Sequence, residues 1–162
     1  MCGLAFSGKT TLARAIVRFT GAAYVGLDEI NRERGLGHGG EGLPVEEWER
    51  THRLAVDRVE RLMEEGATIL VDDTSNLRFL RERFRKVAGQ HDYDVVLVYL
   101  DVPPAEIRRR IEENASTGRR ANVLPHVLEE HIATFEHPAG DEAAIVYTPD
   151  QPVDDWLQAT LR

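Results

Sequence analysis

Short apolar runs alternate along the chain with stretches in which apolar residues recur at three- and four-residue steps. Runs of the first kind fit buried strands, and the second fits helices with one covered face, so the alternation predicts an α/β protein on a parallel sheet. Leu12, Ile16 and Phe19 predict a helix over Thr11–Phe19, and Ala22–Leu27 reads as a short strand ending at Asp28. Residues 35–43 hold five glycines in nine positions and read as a loop. Pro44 then opens a long helix reaching about Glu65, with Val45, Trp48, His52, Ala55, Val59 and Leu62 as its buried stripe and Gly66 as its cap. "TILVDDT" is the next strand, followed by a helix marked by Leu77, Leu80, Phe84 and Val87. "DVVLVYLDV" is the most apolar run, as expected of a strand covered on both faces. Helices over Ala105–Ala115, Val127–Phe135 and Val153–Leu161 and a strand at "AAIVY" complete the pattern.

No linker, repeat or low-complexity tract interrupts these 162 residues, so the expectation is a single domain over 1–162, with a lid segment at about 108–124. A net charge of −8 argues against non-specific binding to nucleic acid or anionic lipid. No apolar run suits a membrane span or a signal peptide, and the single cysteine, Cys2, has no disulfide partner within the chain. A cytoplasmic protein with no membrane partner is expected.

The most specific local pattern is at the start. Gly3-Leu4-Ala5-Phe6-Ser7-Gly8-Lys9-Thr10 fits G-x-x-x-x-G-K-[ST], a loop whose inward amides and following helix N-terminus cradle phosphate. Gly3 and Gly8 permit the backbone to approach closely, Lys9 bridges the β- and γ-phosphates, and the Thr10 hydroxyl ligates Mg²⁺. Ser7 and Thr11 complete the loop's expected contacts with ATP. Only Met1 and Cys2 precede Gly3, whereas such a loop normally hangs from a buried strand. Met1 is therefore expected to be an internal methionine, with an apolar run upstream of it in the full gene product.

Carboxylates cluster at two predicted strand ends. Asp72 and Asp73 close "ILVDD", with Asp73 favoured as the second Mg²⁺ ligand and Thr74 beside it. Asp28 ends the preceding strand, on the edge where parallel sheets bind ligands, and is placed to take a proton from an incoming hydroxyl. Arg110, Arg119 and Arg120 are the preferred lid cations, because Arg108 and Arg109 have i,i+4 partners in Glu112 and Glu113. Arg78, Arg81 and Arg85 read as a solvated helix face, with Arg78 and Arg32 as further acceptor-side candidates. The histidines lack metal spacing, and His52 reads as packing or pocket wall.

"CGLAFSGKTTLARAI", "GLDEI", "ILVDDTSNLRFLRERF" and "VYLDVPPAEIRRRIEEN…GRR…V" together resemble the small P-loop kinases, in particular polynucleotide 5′-kinases, zeta-toxin-type kinases and chloramphenicol phosphotransferase. The resemblance implies a P-loop NTPase three-layer sandwich with a central five-stranded parallel sheet, its first strand truncated here at the N-terminus. It implies an ATP-dependent phosphotransferase using Mg²⁺ and acting on a hydroxyl of a small-molecule or nucleotide-like acceptor. Catalytic roles then fall on Lys9, Asp28, Arg110 and Arg119, nucleotide binding on Gly3, Ser7, Gly8, Lys9, Thr10, Thr11 and Arg120, and metal binding on Thr10 and Asp73. In polynucleotide kinases an arginine stands three residues after the base; here Asn31 does, with Arg32 one later. A nucleic-acid end kinase and an acceptor-free ATPase switch are the alternatives. The chain has neither the N-K-x-D guanine motif of a GTPase nor the L-S-G-G-Q signature of a transporter ATPase.

Overall fold

A computed structural model of the chain describes residues 1–37, 42–118 and 121–161. In chain order these form α1 (Lys9–Thr20), β1 (Ala23–Gly26), α2 (Leu27–Glu33), α3 (Val45–Glu64), β2 (Ile69–Asp72) and α4 (Arg78–Gln90). Then follow β3 (Val98–Leu100), α5 (Pro104–Thr117), α6 (Pro125–Thr134), a 3₁₀ turn (Gly140–Glu142), β4 (Ile145–Tyr147) and α7 (Val153–Thr160). Among the described residues, no helix is long and apolar enough to cross a membrane.

Local chemistry sets several of these boundaries. Gly66 adopts φ 73° after α3, and its N–H and that of Ala67 bond back to Met63 and Leu62. This is the paired closure that satisfies the last carbonyls of a helix. Proline at the first position opens α5 and α6, where a missing N–H costs no hydrogen bond.

β1 pairs in parallel with β2, and β3 with β4, as two separate two-stranded sheets. Met1–Gly3 stitches them together. The Met1 amine donates to the Val71 carbonyl at 2.9 Å. Cys2 bonds to Val98 and Leu100 through its N–H and carbonyl, and the Gly3 N–H reaches Thr74. Instead of a continuous five-stranded ladder, the segment makes one parallel bridge, Cys2 to Tyr99. The strand within "DVVLVYLDV" spans Val98–Leu100, and Val95 and Val96 stand outside it, 42% and 57% exposed.

Helices cover both sides of the strands. α1 and α7 bury Leu12, Ile16, Trp156 and Leu157 against Leu70, Val98, Leu100 and Tyr147. α2, α3 and α4 bury Ile30, Ala55, Val59 and Val87 against Val25. Leu4 and Phe6 join Val102, Ile107 and Leu128 in a third cluster. Two stripe residues depart from expectation: Phe19 and Val45, at helix ends, are 46% and 72% exposed.

Candidate active site

The glycine loop runs from Cys2 into α1, and its shape depends on residues that tolerate unusual backbone angles. Gly3 has φ 147° and Gly8 φ 101°. A Cβ on Gly3 would lie 3.0 Å from the Leu100 carbonyl oxygen, a tight contact added to the strain of that φ for any other residue. Phe6 also has a positive φ, 63°, which a non-glycine residue holds only when its surroundings enforce it. Those surroundings are the apolar cluster under α5 and α6, where Phe6 is buried.

Arg110 supplies a second anchor. Its Nη1 donates to the carbonyls of Phe6 and Ser7 at 3.1 and 3.0 Å, and its Nε to Glu106 at 2.7 Å. Expected as a lid cation, Arg110 is thus placed on the backbone of the loop and outside the walls of the adjoining cleft. Arg119 and Arg120 lie outside the described residues.

The loop opens on a cleft of about 410 Å³ at the C-terminal ends of β1 and β2. Gly8, Lys9, Thr10, Asp28, Asp72, Asp73 and Thr74 all line it, so three widely spaced sequence segments meet there with Tyr24 and His131. Gly3 and Ser7 sit behind the wall as loop scaffold, and Thr11 is exposed on α1. Lys9 is buried, with Nζ donating to the Leu4 carbonyl at 2.9 Å. Loss of water pushes its pKa down, while Asp72, Asp73 and Asp28, in that order, favour its charged form. The hydroxyl of Ser7 is buried with no hydrogen-bond partner, an unmet polar group directly in the loop.

Each carboxylate has its own setting. Tyr24 donates from its hydroxyl to Asp72 Oδ2 at 2.7 Å, and burial together with that carboxylate raises the Tyr24 pKa. Gly26 leaves room for the Tyr24 ring, since a Cβ there would come within 2.7 Å of it. Asp73 Oδ2 accepts from the N–H and hydroxyl of Ser75 at 3.0 and 2.9 Å and lies 3.9 Å from His52 Nε2. Asp28 is exposed in the first turn of α2, two residues beyond the end of β1, because the strand stops at Gly26. Its place beside the cleft agrees with expectation; its place on a strand does not.

Other basic candidates point elsewhere. Arg32 is exposed and within 3.6 Å of Glu29, while Asn31 is buried against the Thr51 hydroxyl. Arg78 pairs with Asp141 at 2.6 Å. Arg81, expected on a solvated face, is buried in a two-pronged bond with Glu142 at 2.6 and 2.8 Å. Sequence reasoning missed Tyr24 and His131 as cleft residues. The only signals were a tyrosine polar enough to want a partner at a strand end and a histidine on an otherwise apolar helix. No group of three or more metal-ligating side chains of the His, Cys, Asp and Glu type occurs among the described residues.

Residues 1–138 match the family model described as AAA domain. No curated protein matches the chain. Among solved structures it is similar to a gluconokinase from Sinorhizobium meliloti, at 18% identity and TM-score 0.70, covering 97% of this chain and 85% of that one. A sugar kinase from a Janibacter species is 22% identical, with TM-score 0.68 and coverage of 99% and 89%. The APS kinase of Mycobacterium tuberculosis, solved with AMPPNP and APS, is 21% identical, with TM-score 0.71 and coverage of 99% and 92%. Identities this low speak for a shared P-loop kinase-like fold, and the family match spans most of the chain. The chain belongs to the AAA domain family.

Proposed function

We propose that this protein is an ATP-dependent phosphotransferase that moves the γ-phosphate of ATP to a hydroxyl group of a small molecule. One observation carries the reading: a glycine loop with a buried lysine faces Asp28, Asp72 and Asp73 across a single cleft. The kinase names of the structural neighbours support it by likeness of fold. On this reading the two strand pairs act as one parallel sheet with Met1–Gly3 as its middle member.

The loop fits a phosphate chain. The orphaned Ser7 hydroxyl and the positive φ of Gly8 at the head of α1 both fit a loop shaped around an anion. Thr10 and Asp73 would hold Mg²⁺, being the hard oxygen donors it takes, and Asp72 stands beside them. Bound with the nucleotide, the ion supplies neutralisation of charge on the phosphate oxygens. Lys9 brings its ammonium to the same oxygens and recovers there the stabilisation that burial removes. Asp28, in the wall of the same cleft, accepts the proton from the acceptor hydroxyl. Tyr24 fixes the rotamer of Asp72, and Arg110 holds the loop carbonyls so that its amides keep facing inward. A polynucleotide acceptor has less support, because Arg32 pairs with Glu29 on the surface and does not line the cleft.

Incubation with Mg·ATP tests the binding half of this proposal. At 100-fold excess over Kd, the nucleotide should stabilise the fold by about 2.7 kcal/mol, readable as a rise in melting temperature. An unchanged melting temperature would remove the catalytic reading.

A further inference from the structure

Beside the phosphate cleft, between α3, the approach to α4, and α6, lies a second cleft of about 260 Å³. Trp48, Asp73, Thr74 and His131 belong to the walls of both, so the two adjoin. Their chemistry differs. Glu49, Asp73 and Glu130 line the second cleft, and no lysine or arginine does among the described residues. Arg83 reaches the rim, but its guanidinium donates to Glu49 at 2.9 Å and lies over the Phe79 ring at 5.1 Å.

The remaining wall combines apolar surface with hydrogen-bonding groups. Phe79 and Val45 are 50% and 72% exposed at the mouth, and Leu80 and Val127 are buried below them. Large apolar side chains left facing water around a concavity mark a binding surface more often than chance exposure. His52 and His131 both line the cleft, and the Nδ1 of each is buried without a hydrogen-bond partner. Burial lowers the His131 pKa, so its ring adds polar atoms without a positive charge at neutral pH.

We infer that this second cleft seats the phosphoryl acceptor and selects an alcohol with an apolar body and no anionic group, either neutral or amine-bearing. The inference rests on the phosphotransfer reading. Glu49 is already paired with Arg83, and Asp73 faces the proposed ion, so Glu130 is the lining carboxylate left to meet a charge on the acceptor. It would repel a carboxylate or phosphate and attract an ammonium. Trp48 offers a flat apolar wall at the junction, where the reacting hydroxyl passes toward the phosphate cleft.

One matched series tests the charge preference directly: 2-amino-1-phenylethanol, 1-phenylethanol and mandelate share an apolar ring and a hydroxyl and differ in charge. Trp156 is the second of two tryptophans and is buried against Tyr147, so Trp156→Phe leaves Trp48 as the sole fluorescence reporter. Calorimetry on the unmodified chain reads the same binding should that variant fold poorly. The amine and the neutral member should bind, with the carboxylate at least about tenfold weaker, a gap of about 1.4 kcal/mol. Glu130→Lys should narrow that gap. A carboxylate that binds tightest, or no binding by any member, overturns the inference. The predicted order of binding with no phosphate transferred from Mg·ATP would instead count against the phosphotransfer reading alone.

Discussion

The ammonium of Lys9 sits out of water, donating to the Leu4 carbonyl at 2.9 Å, with three carboxylates as its long-range support. A buried charge of this kind is an energetic burden on the empty fold and becomes an asset only when phosphate arrives. Lys9→Met should therefore leave the melting temperature of the nucleotide-free chain unchanged or higher. The same variant should lose the shift of about 2.7 kcal/mol expected at saturating Mg·ATP. Thermal melts with and without nucleotide check both halves, and a destabilised apo variant that still binds would contradict this role. Gly3→Ala carries the opposite signature. Its φ of 147° and the 3.0 Å approach to the Leu100 oxygen predict a loss of about 1–3 kcal/mol in denaturant melts. At this scale the loop was legible because its chemistry is local: eight consecutive residues carry the whole pattern. The Tyr24–Asp72 bond was not, since it joins residues 48 apart that only the β1–β2 pairing brings together.

Single elements carry two consequences that sequence periodicity does not show. The first is α5, which positions the loop instead of lying free above it: Glu106 holds Arg110, and Arg110 holds the carbonyls of Phe6 and Ser7. The Glu106 carboxyl is held at about 2 by its bonds from Arg109 and Arg110, so it stays ionised well below the usual carboxylate range. The second is α4. Three arginines at helical spacing read naturally as a solvated face, yet Arg81 is buried against Glu142, 61 residues later, and Arg85 donates to the Glu142 carbonyl. Breaking a buried pair from one side leaves an unpaired charge inside, so Arg81→Met should cost about 3–5 kcal/mol in chemical denaturation. The pH dependence has a definite sign. Arg81 holds the Glu142 pKa below its ordinary 4.5. That contribution is complete above this value and is lost as pH falls through the lower folded pKa. Acid unfolding of Arg81→Met should accordingly be less steep than that of the parent chain. The strand boundaries were only partly legible. The Asp28 segment stops at Gly26 and turns at once into α2, a choice made by burial of Leu27 and Ile30 against α3 and α4.

Across the whole molecule, Met1–Gly3 is the seam between two strand pairs, and Cys2 lies at its centre with no exposed surface. Burial pushes the Cys2 thiol up to about 11 from an ordinary 9.0. The folded protein holds this proton more tightly than the unfolded chain, so stability is unaffected below about 9 and falls as pH rises toward 11. Iodoacetamide at pH 8 should label Cys2 only at the rate of unfolding, measured alongside denaturant melts; fast labelling of the folded chain would mean the seam is open. The layered α/β order and nearly every helix were legible in the sequence because periodicity reports which face is buried. The sheet itself was not, because its continuity depends on hydrogen bonds across a three-residue bridge and not on apolar pattern. The cleft followed from both: motif supplied Lys9 and Thr10, while the bonds of Met1 and Gly3 to Val71 and Thr74 brought Asp72 and Asp73 beside them. Transfer of label from γ-labelled ATP to acceptor alcohol, comparing the parent chain with Asp28→Asn, tests phosphotransfer most directly. The account predicts labelled phosphate ester from the parent chain and a loss of about 10²–10⁴ in rate for Asp28→Asn, with nucleotide binding retained. Release of inorganic phosphate alone, equal in both proteins and indifferent to acceptor, would contradict it.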